Sequence, residues 1–205
     1  MTSEGSTDSV SSTLTTTSTT TTIIRSIVTI TRPGDTIIGV YNTTAGASTG
    51  GKDGRYSIIT EHPAQAIDNS TSTKYFNFGG TGDYNVVAPA PGVGTGFYVT
   101  PAISNASITI SLLFATANDS PNRDPITVTL EGSNANALDN GSSWALIYSG
   151  STGISHTADP GRMVYVTRQN FSNTIAYRSY RLLVTSQRAP EWGVQYSEAQ
   201  IIGYI

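Results

Sequence analysis

Between Ala66 and Phe78 the chain reads AIDNSTSTKYFNF, a run of side-chain oxygens set between an apolar pair and a cluster of three aromatics. Asp68, Asn69, Ser70, Thr71 and Thr73 offer carboxylate, amide and hydroxyl oxygens within one short turn. A hard cation such as calcium takes about six to eight oxygens of this kind. One carboxylate carries too little charge for firm binding, so a calcium site here needs a second one from elsewhere in the chain. The same residues suit an Asx turn, in which Asp68 only bonds its own backbone. From the loop alone both readings stand.

A second group of polar residues falls in TANDSPNRDP, where Asn118, Asp119, Arg123 and Asp124 share one loop. Arg and Asn at a loop tip can grip sugar hydroxyls through planar, bidentate hydrogen bonds, which makes Arg123 and Asn118 candidate ligand-binding residues. The commoner arrangement is an internal ion pair of Arg123 with Asp119 or Asp124 that stiffens the connection. Trp144, Trp192 and Tyr196 are the aromatics that could stack on a sugar ring. Trp144 precedes an alternating stretch and is expected in the core. Trp192, in the polar loop APEWGVQY, is the better platform, although Trp more often serves as core or tether.

Catalytic chemistry finds little to build on. His62 and His156 are the only histidines, each in a turn-rich loop, and no GxSxG elbow is present. Without cysteine, thiol catalysis, disulfides and Cys-based metal sites are excluded, and two histidines are too few for a zinc centre. No catalytic residue is assigned, and a non-enzymatic protein is expected.

The composition points the same way. Of 205 residues 37% are hydrophobic, enough for one domain with a real core, while only 12% are charged. Ser, Thr, Gly and Asn fill the difference, giving a hydroxyl- and amide-rich surface suited to extracellular or glycan-facing work. The net charge of −3 and the scattered Lys and Arg leave no clustered cations for nucleic acid or an anionic membrane. No apolar run is long enough to span a bilayer. Six N-x-S/T sequons, at Asn42, Asn69, Asn105, Asn118, Asn140 and Asn170, are consistent with a glycosylated surface protein. The opening MTSEGSTDSV lacks the basic and apolar regions of a signal peptide, so a secreted protein would be represented here by a mature or truncated form.

The elements that must position these residues are strands. An arm of residues 1–24, including SSTLTTTSTTTT, reads as a stalk or disordered linker. Residues 25–205 read as one domain. Within it Ile108, Ile110, Leu112 and Phe114 alternate on one face, as do Ile126, Val128 and Leu130, and Tyr180, Leu182 and Val184 with Arg181 and Thr185 opposite. Further strands are expected over residues 96–100, 143–149, 163–168 and 194–204, divided by Gly/Pro/Asn/Asp-rich turns such as TRPGDT and SGSTGISHTADPG. No helix longer than about two turns is expected. The pattern is all-β, an antiparallel β-sandwich or jelly roll.

AIDNSTSTKY is similar to the A-x-D-G-x-x-x-T-x-W signature of discoidin-like domains, the jelly rolls of coagulation-factor type C repeats and galactose-binding carbohydrate modules. The ending YRSYRLLVTSQRAPEWGVQYSEAQIIGYI resembles that family's last two strands, in which a Y-R-x-x-R-L strand precedes an acidic residue matched by Glu198. ITRPGDTIIGV, TKYFNFGG, GFYVTP, TANDSPNRDP and LEGSN resemble a secreted bacterial subgroup whose functions are largely unassigned. The resemblance implies a galactose-binding-like fold and a structural calcium held by Asp68, Thr73 and Glu198, with oxygens from Ser70 or Asn69. Asn69 stands where the family has Gly, and Tyr75 where it has Trp. The implied function is extracellular glycan binding or adhesion. The alternative is a structural subunit of an extracellular fibre or matrix, self-associating through the N-terminal arm.

Overall fold

The computed structural model describes residues 25–52, 60–80 and 91–205. The Ser/Thr-rich arm of residues 1–24 lies outside them, and so do the expectations of a stalk and of self-association through it. In chain order the strands are β1 (Ile27–Thr29), β2 (Thr36–Tyr41), β3 (Gly51–Lys52), β4 (Tyr75–Asn77), β5 (Gly96–Thr100), β6 (Ile108–Ala115), β7 (Pro125–Ser133), β8 (Ala145–Ser151), β9 (Gln169–Asn170), β10 (Ser179–Gln187), β11 (Val194–Tyr196) and β12 (Glu198–Tyr204). The described helical turns are short 3-10 stretches at Pro63–Ile67, Pro121–Arg123 and Gly141–Ser143.

All strand pairings are antiparallel. A six-stranded sheet runs β3-β2-β5-β10-β7-β8, a four-stranded sheet runs β1-β12-β6-β9, and β11 pairs with β4 in a small ribbon. The chain first crosses between sheets, from β1 in the four-stranded sheet to β2 in the six-stranded sheet, at the Arg32–Asp35 turn. Asp35 N donates to Arg32 O at 3.2 Å, and Arg32 N donates to Asp35 Oδ2 at 2.8 Å. Gly34 supplies the φ of 90° that this turn requires.

Between the sheets the alternating residues meet as expected. Val128 and Leu130 from β7, Tyr180, Leu182 and Val184 from β10, Leu112 and Phe114 from β6, and Ala199 and Ile201 from β12 form one buried cluster. In β6 the alternation slips at a bulge opposite Ile202 and Gly203, where Ile110 is the extra residue. Thr109 is therefore fully buried while Ile108 and Ile110 are only half covered.

Two strand expectations need correction. Residues 163–168 do not form a strand; Tyr165 makes only an isolated bridge to Ala115. Gly161 at φ 101° and Met163 at φ 61° take the chain out of extended geometry just before it. The expected strand over 194–204 is two strands broken at Ser197. Ser197 Oγ donates to Thr71 O at 3.1 Å and to Thr116 O at 2.9 Å, turning the backbone between the ribbon and the four-stranded sheet.

The face of β10 opposite the core is covered at Arg181 and Leu183, while Thr185 further along it is exposed. Arg181 is fully buried there, its Nε 2.7 Å from Glu131 Oε2, with both side chains at 0% exposure. Residues 42–50 fold over this face: Arg181 Nη1 donates to Ala47 O at 3.0 Å and Gly46 N donates to Glu131 Oε1 at 2.7 Å. Trp144, buried as expected, covers the guanidinium at 4.7 Å and donates from Nε1 to Leu138 O at 3.0 Å.

Candidate functional site

The oxygen-rich loop begins where Pro63–Ile67 buries Ala66 and Ile67 against the core, and it ends where β4 buries Tyr75 and Phe76. The chain must reverse between these anchors. Asn69 does so at φ 63°, a conformation that Gly adopts freely and Asn tolerates best among the other residues. Asn69 thus does the backbone work of the family's Gly. Tyr75 fills the place of the family's Trp: it is fully buried, donates to Gly96 O at 2.8 Å and meets Tyr196 edge-on at 5.5 Å.

Within the loop Asp68 behaves in part as an Asx-turn residue, its Oδ1 accepting from Ser70 N at 2.9 Å. Its Oδ2 accepts from Thr73 Oγ1 at 2.7 Å. Glu198, at the start of β12, comes into the same loop, and its Oε1 accepts from Ser70 N at 3.0 Å. Gln200 Nε2 donates to Glu198 Oε2 and to Asn69 Oδ1, each at 3.2 Å. Asp68, Asn69, Ser70, Thr73 and Glu198 are therefore one constellation, as expected from the resemblance.

The Glu198 carboxyl is fully buried. Burial raises its pKa to about 8; the hydrogen bonds from Gln200 and Ser70 act against this, and neighbouring Asp68 reinforces it. Among the described residues no group of three or more His, Cys, Asp or Glu side chains converges. The loop instead offers two carboxylates, the Ser70 and Thr73 hydroxyls, the Asn69 amide oxygen and the Ser70 carbonyl. This set fits a hard cation such as calcium in donor type, and its two crowded carboxylates fit one in charge.

Next along the chain, Lys74 leads from this loop to a second cluster. It is 9% exposed, with Nζ 3.0 Å from Asp119 Oδ1, 3.0 Å from Gln195 Oε1 and 3.5 Å from Glu61 Oε1. Gln195 Nε2 also donates to Asp119, at 2.7 Å to Oδ1 and 2.6 Å to the backbone carbonyl. Burial opposes the charge on Asp119, but the bonds from Gln195 and Lys74 and the charges of Lys74 and Arg123 outweigh it and lower the pKa. Burial raises the pKa of Glu61, and Lys74 offsets this only in part.

On the other side of Phe76 lies Arg123. Its Cζ is 4.9 Å from the Phe76 ring centre and 4.3 Å from that of Trp192, and its Nε is 3.5 Å from Glu191 Oε2. The internal ion pair is therefore made with Glu191 rather than with Asp119 or Asp124. Asp124, fully buried, is instead gripped by Arg162 at 2.8 and 2.6 Å and by Arg188 at 3.0 Å. Backbone bonds from Arg188 N to Asp124 O and from Ala189 N to Asn122 O join the loop around Pro121–Arg123 to the loop before β11.

Trp192 is half-buried. It lies parallel to Phe78 at 6.1 Å and 15°, and at 6.4 Å from Phe76. Asn118 is exposed on the neighbouring loop. Trp192 and Arg123 are thus directly together, and Asn118 stands exposed one residue before Asp119, which Lys74 bonds. Lys74, Gln195, Glu191, Phe76 and Phe78 were not foreseen as members of this site. Phe76 and Phe78 carried a sequence signal, two aromatics one residue apart beside the oxygen loop; the partners of Lys74 lie too far along the chain to have been read from spacing.

Protein-family profiles and curated protein sequences yield no match to the chain. Solved structures do. A family 32 carbohydrate-binding module from the C. perfringens protein NanJ, in complex with galactose, superposes with a TM-score of 0.54 at 11% identity, over 86% of this chain and 98% of that one. Chitosan-binding module 1 of a Paenibacillus sp. IK-5 chitosanase/glucanase gives 0.52 at 14% identity, over 85% and 98%. A fucolectin from striped bass (Morone saxatilis) serum gives 0.51 at 14%, over 83% and 47%. The chain has the antiparallel β-sandwich fold of galactose-binding-like, discoidin-type domains.

Proposed function

We propose that the protein is a non-catalytic glycan-binding or adhesion module acting outside the cell, with calcium as a structural ion in the loop of Asp68, Asn69, Ser70, Thr73 and Glu198. The observation that carries the reading is the loop-end platform. A half-buried Trp192 is braced by Phe78, Phe76 and Arg123, and Lys74 against Phe76 holds Asp119 of a second loop. A rigid aromatic with fixed polar groups around it is what a weakly bound sugar ring requires. Support comes from the solved structures of the same fold, among them a galactose complex and a chitosan-binding module. No described helix is long and apolar enough to cross a membrane. Calcium would hold the Asp68 loop against β12 and supply charge neutralisation there, and the chain's own residues would contact the sugar. A glycan array probed with the monomeric protein tests the reading, and a protein that binds no glycan on it would overturn it.

A further inference from the structure

Asp119 has two unequal carboxylate oxygens. Oδ1 is held from two sides, by Lys74 Nζ at 3.0 Å and Gln195 Nε2 at 2.7 Å. Both partners are buried, Gln195 fully, and Gln195 also grips the Asp119 backbone carbonyl at 2.6 Å. Lys74 and Gln195 bond each other at 3.0 Å, which closes the arrangement into a triangle. Yet the Asp119 side chain is 52% exposed. A surface aspartate ordinarily rotates freely; this one is anchored through one oxygen, and among the described residues no bond reaches the other.

The anchor also ties Asp119 to the aromatic platform. Lys74 Nζ stands 5.6 Å from the Phe76 ring centre, and Phe76 is the ring that Arg123 and Trp192 pack against. The two cations of the cluster are already committed to protein groups, Lys74 to Asp119 and Glu61 and Arg123 to Glu191. What the cluster presents, one ring away from Trp192 across Phe76, is therefore a fixed, ionised acceptor.

We infer that Asp119 is a specificity-determining contact of the loop-end site, its open oxygen accepting hydrogen bonds from a sugar that brings donors: hydroxyls, or the ammonium of an amino sugar. An ionised carboxylate can only accept, so a ligand without suitably placed donors leaves it desolvated and unpaired. A sialylated, uronic or sulfated glycan meets like charge instead and is disfavoured. Because the oxygen is fixed before binding, little ordering accompanies the contact. Lys74 and Gln195 are positioning residues that act through Asp119. This assignment rests on the glycan-binding reading above.

The test uses an array carrying neutral, amino-sugar and anionic glycans, followed by titration of the best binder against wild-type protein and Asp119→Asn. The expected results are binding confined to neutral or amino sugars, and an affinity lowered about ten-fold or more in Asp119→Asn, measured well below that variant's own melting transition because the Lys74 pair is weakened. In wild-type protein the Gln195 side-chain amide signal should shift on titration, a readout that does not depend on how the variant folds. A wild type that binds no glycan overturns both readings. A wild type that binds, with Gln195 unmoved and Asp119→Asn equally tight, overturns the role of Asp119 alone, as does a preference for anionic glycans.

Discussion

The backbone amide of Ser70 donates to Asp68 Oδ1 at 2.9 Å and to Glu198 Oε1 at 3.0 Å, so an early loop and the last strand meet on a single N–H. The donors that reach them, from Ser70, Thr73 and Gln200, are all neutral and do not cancel two carboxylate charges, whereas a bound cation would. Calcium at about a hundred times its Kd should stabilise the fold by about 3 kcal/mol. Melting curves of demetallated protein with and without calcium measure this, and Asp68→Asn should abolish the difference. Identical curves for demetallated wild type would sink the proposal of a calcium site.

The same crowding sets a pH dependence for the metal-free protein. The folded pKa of Glu198, about 8, lies above the ordinary value of 4.5, so between these two pH values the folded state holds a proton that the unfolded state has lost. Stability from this group is fully present below about pH 4.5 and is lost as pH rises through about 8. Asp68, Gln200, Ser70 and Tyr165 face the carboxyl, and Asp68 is the charge that reinforces the shift. Demetallated protein should therefore unfold at lower urea at pH 8 than at pH 6, and Glu198→Gln should flatten the trend. A trend of opposite sign in wild type that vanishes in Glu198→Gln would refute the assignment.

Arg181 and Glu131 should be costly to separate. Both are fully buried, and the pair is roofed by residues 42–50 and Trp144. Removing one partner leaves a desolvated charge, so Glu131→Gln and Arg181→Met should each destabilise by about 3–5 kcal/mol in urea unfolding. The double variant Glu131→Gln/Arg181→Met should recover part of that loss. Single variants within about 0.5 kcal/mol of wild type would show that the pair is not sealed from water.

This pair also marks where sequence reading stops. Val128, Leu130, Tyr180, Leu182 and Val184 declare their face by alternation because the core side of a strand selects apolar residues. Arg181 lies on the other face, where its type suggests solvent; residues 42–50 and Trp144, folded over the sheet, bury it. The cluster of oxygen donors was legible because Asp68, Asn69, Ser70 and Thr73 sit in one local order, whereas Glu198 joins it from 128 residues away and was indicated by the resemblance alone. The grouping of Asp124 with Arg162 and Arg188 was not legible, since those partners lie 38 and 64 residues away. Nor was the break at Ser197, where a buried hydroxyl turns an otherwise strand-like run.

Trp192 and Arg123 should both matter for glycan binding, but differently. Trp192 is half-buried and stacked on Phe78, so Trp192→Ala removes the sugar's platform and should abolish weak, millimolar-to-micromolar binding, about 4–8 kcal/mol in all. Arg123 is 9% exposed, wedged between Phe76 and Trp192 and paired with Glu191, so it braces the platform more than it reaches the ligand. Arg123→Ala should therefore weaken binding and also lower the melting temperature, whereas Arg123→Lys should retain part of the charge pairing but little of the stacking. Calcium removal should act on the same site only indirectly. Thr73 bonds Asp68, and the adjacent Lys74 bonds Asp119, so a loosened loop frees the carboxylate beside the platform. Titrations of the best array ligand with each variant, and with wild type plus chelator, separate these contributions. Undiminished binding by Trp192→Ala would place the sugar elsewhere on the molecule.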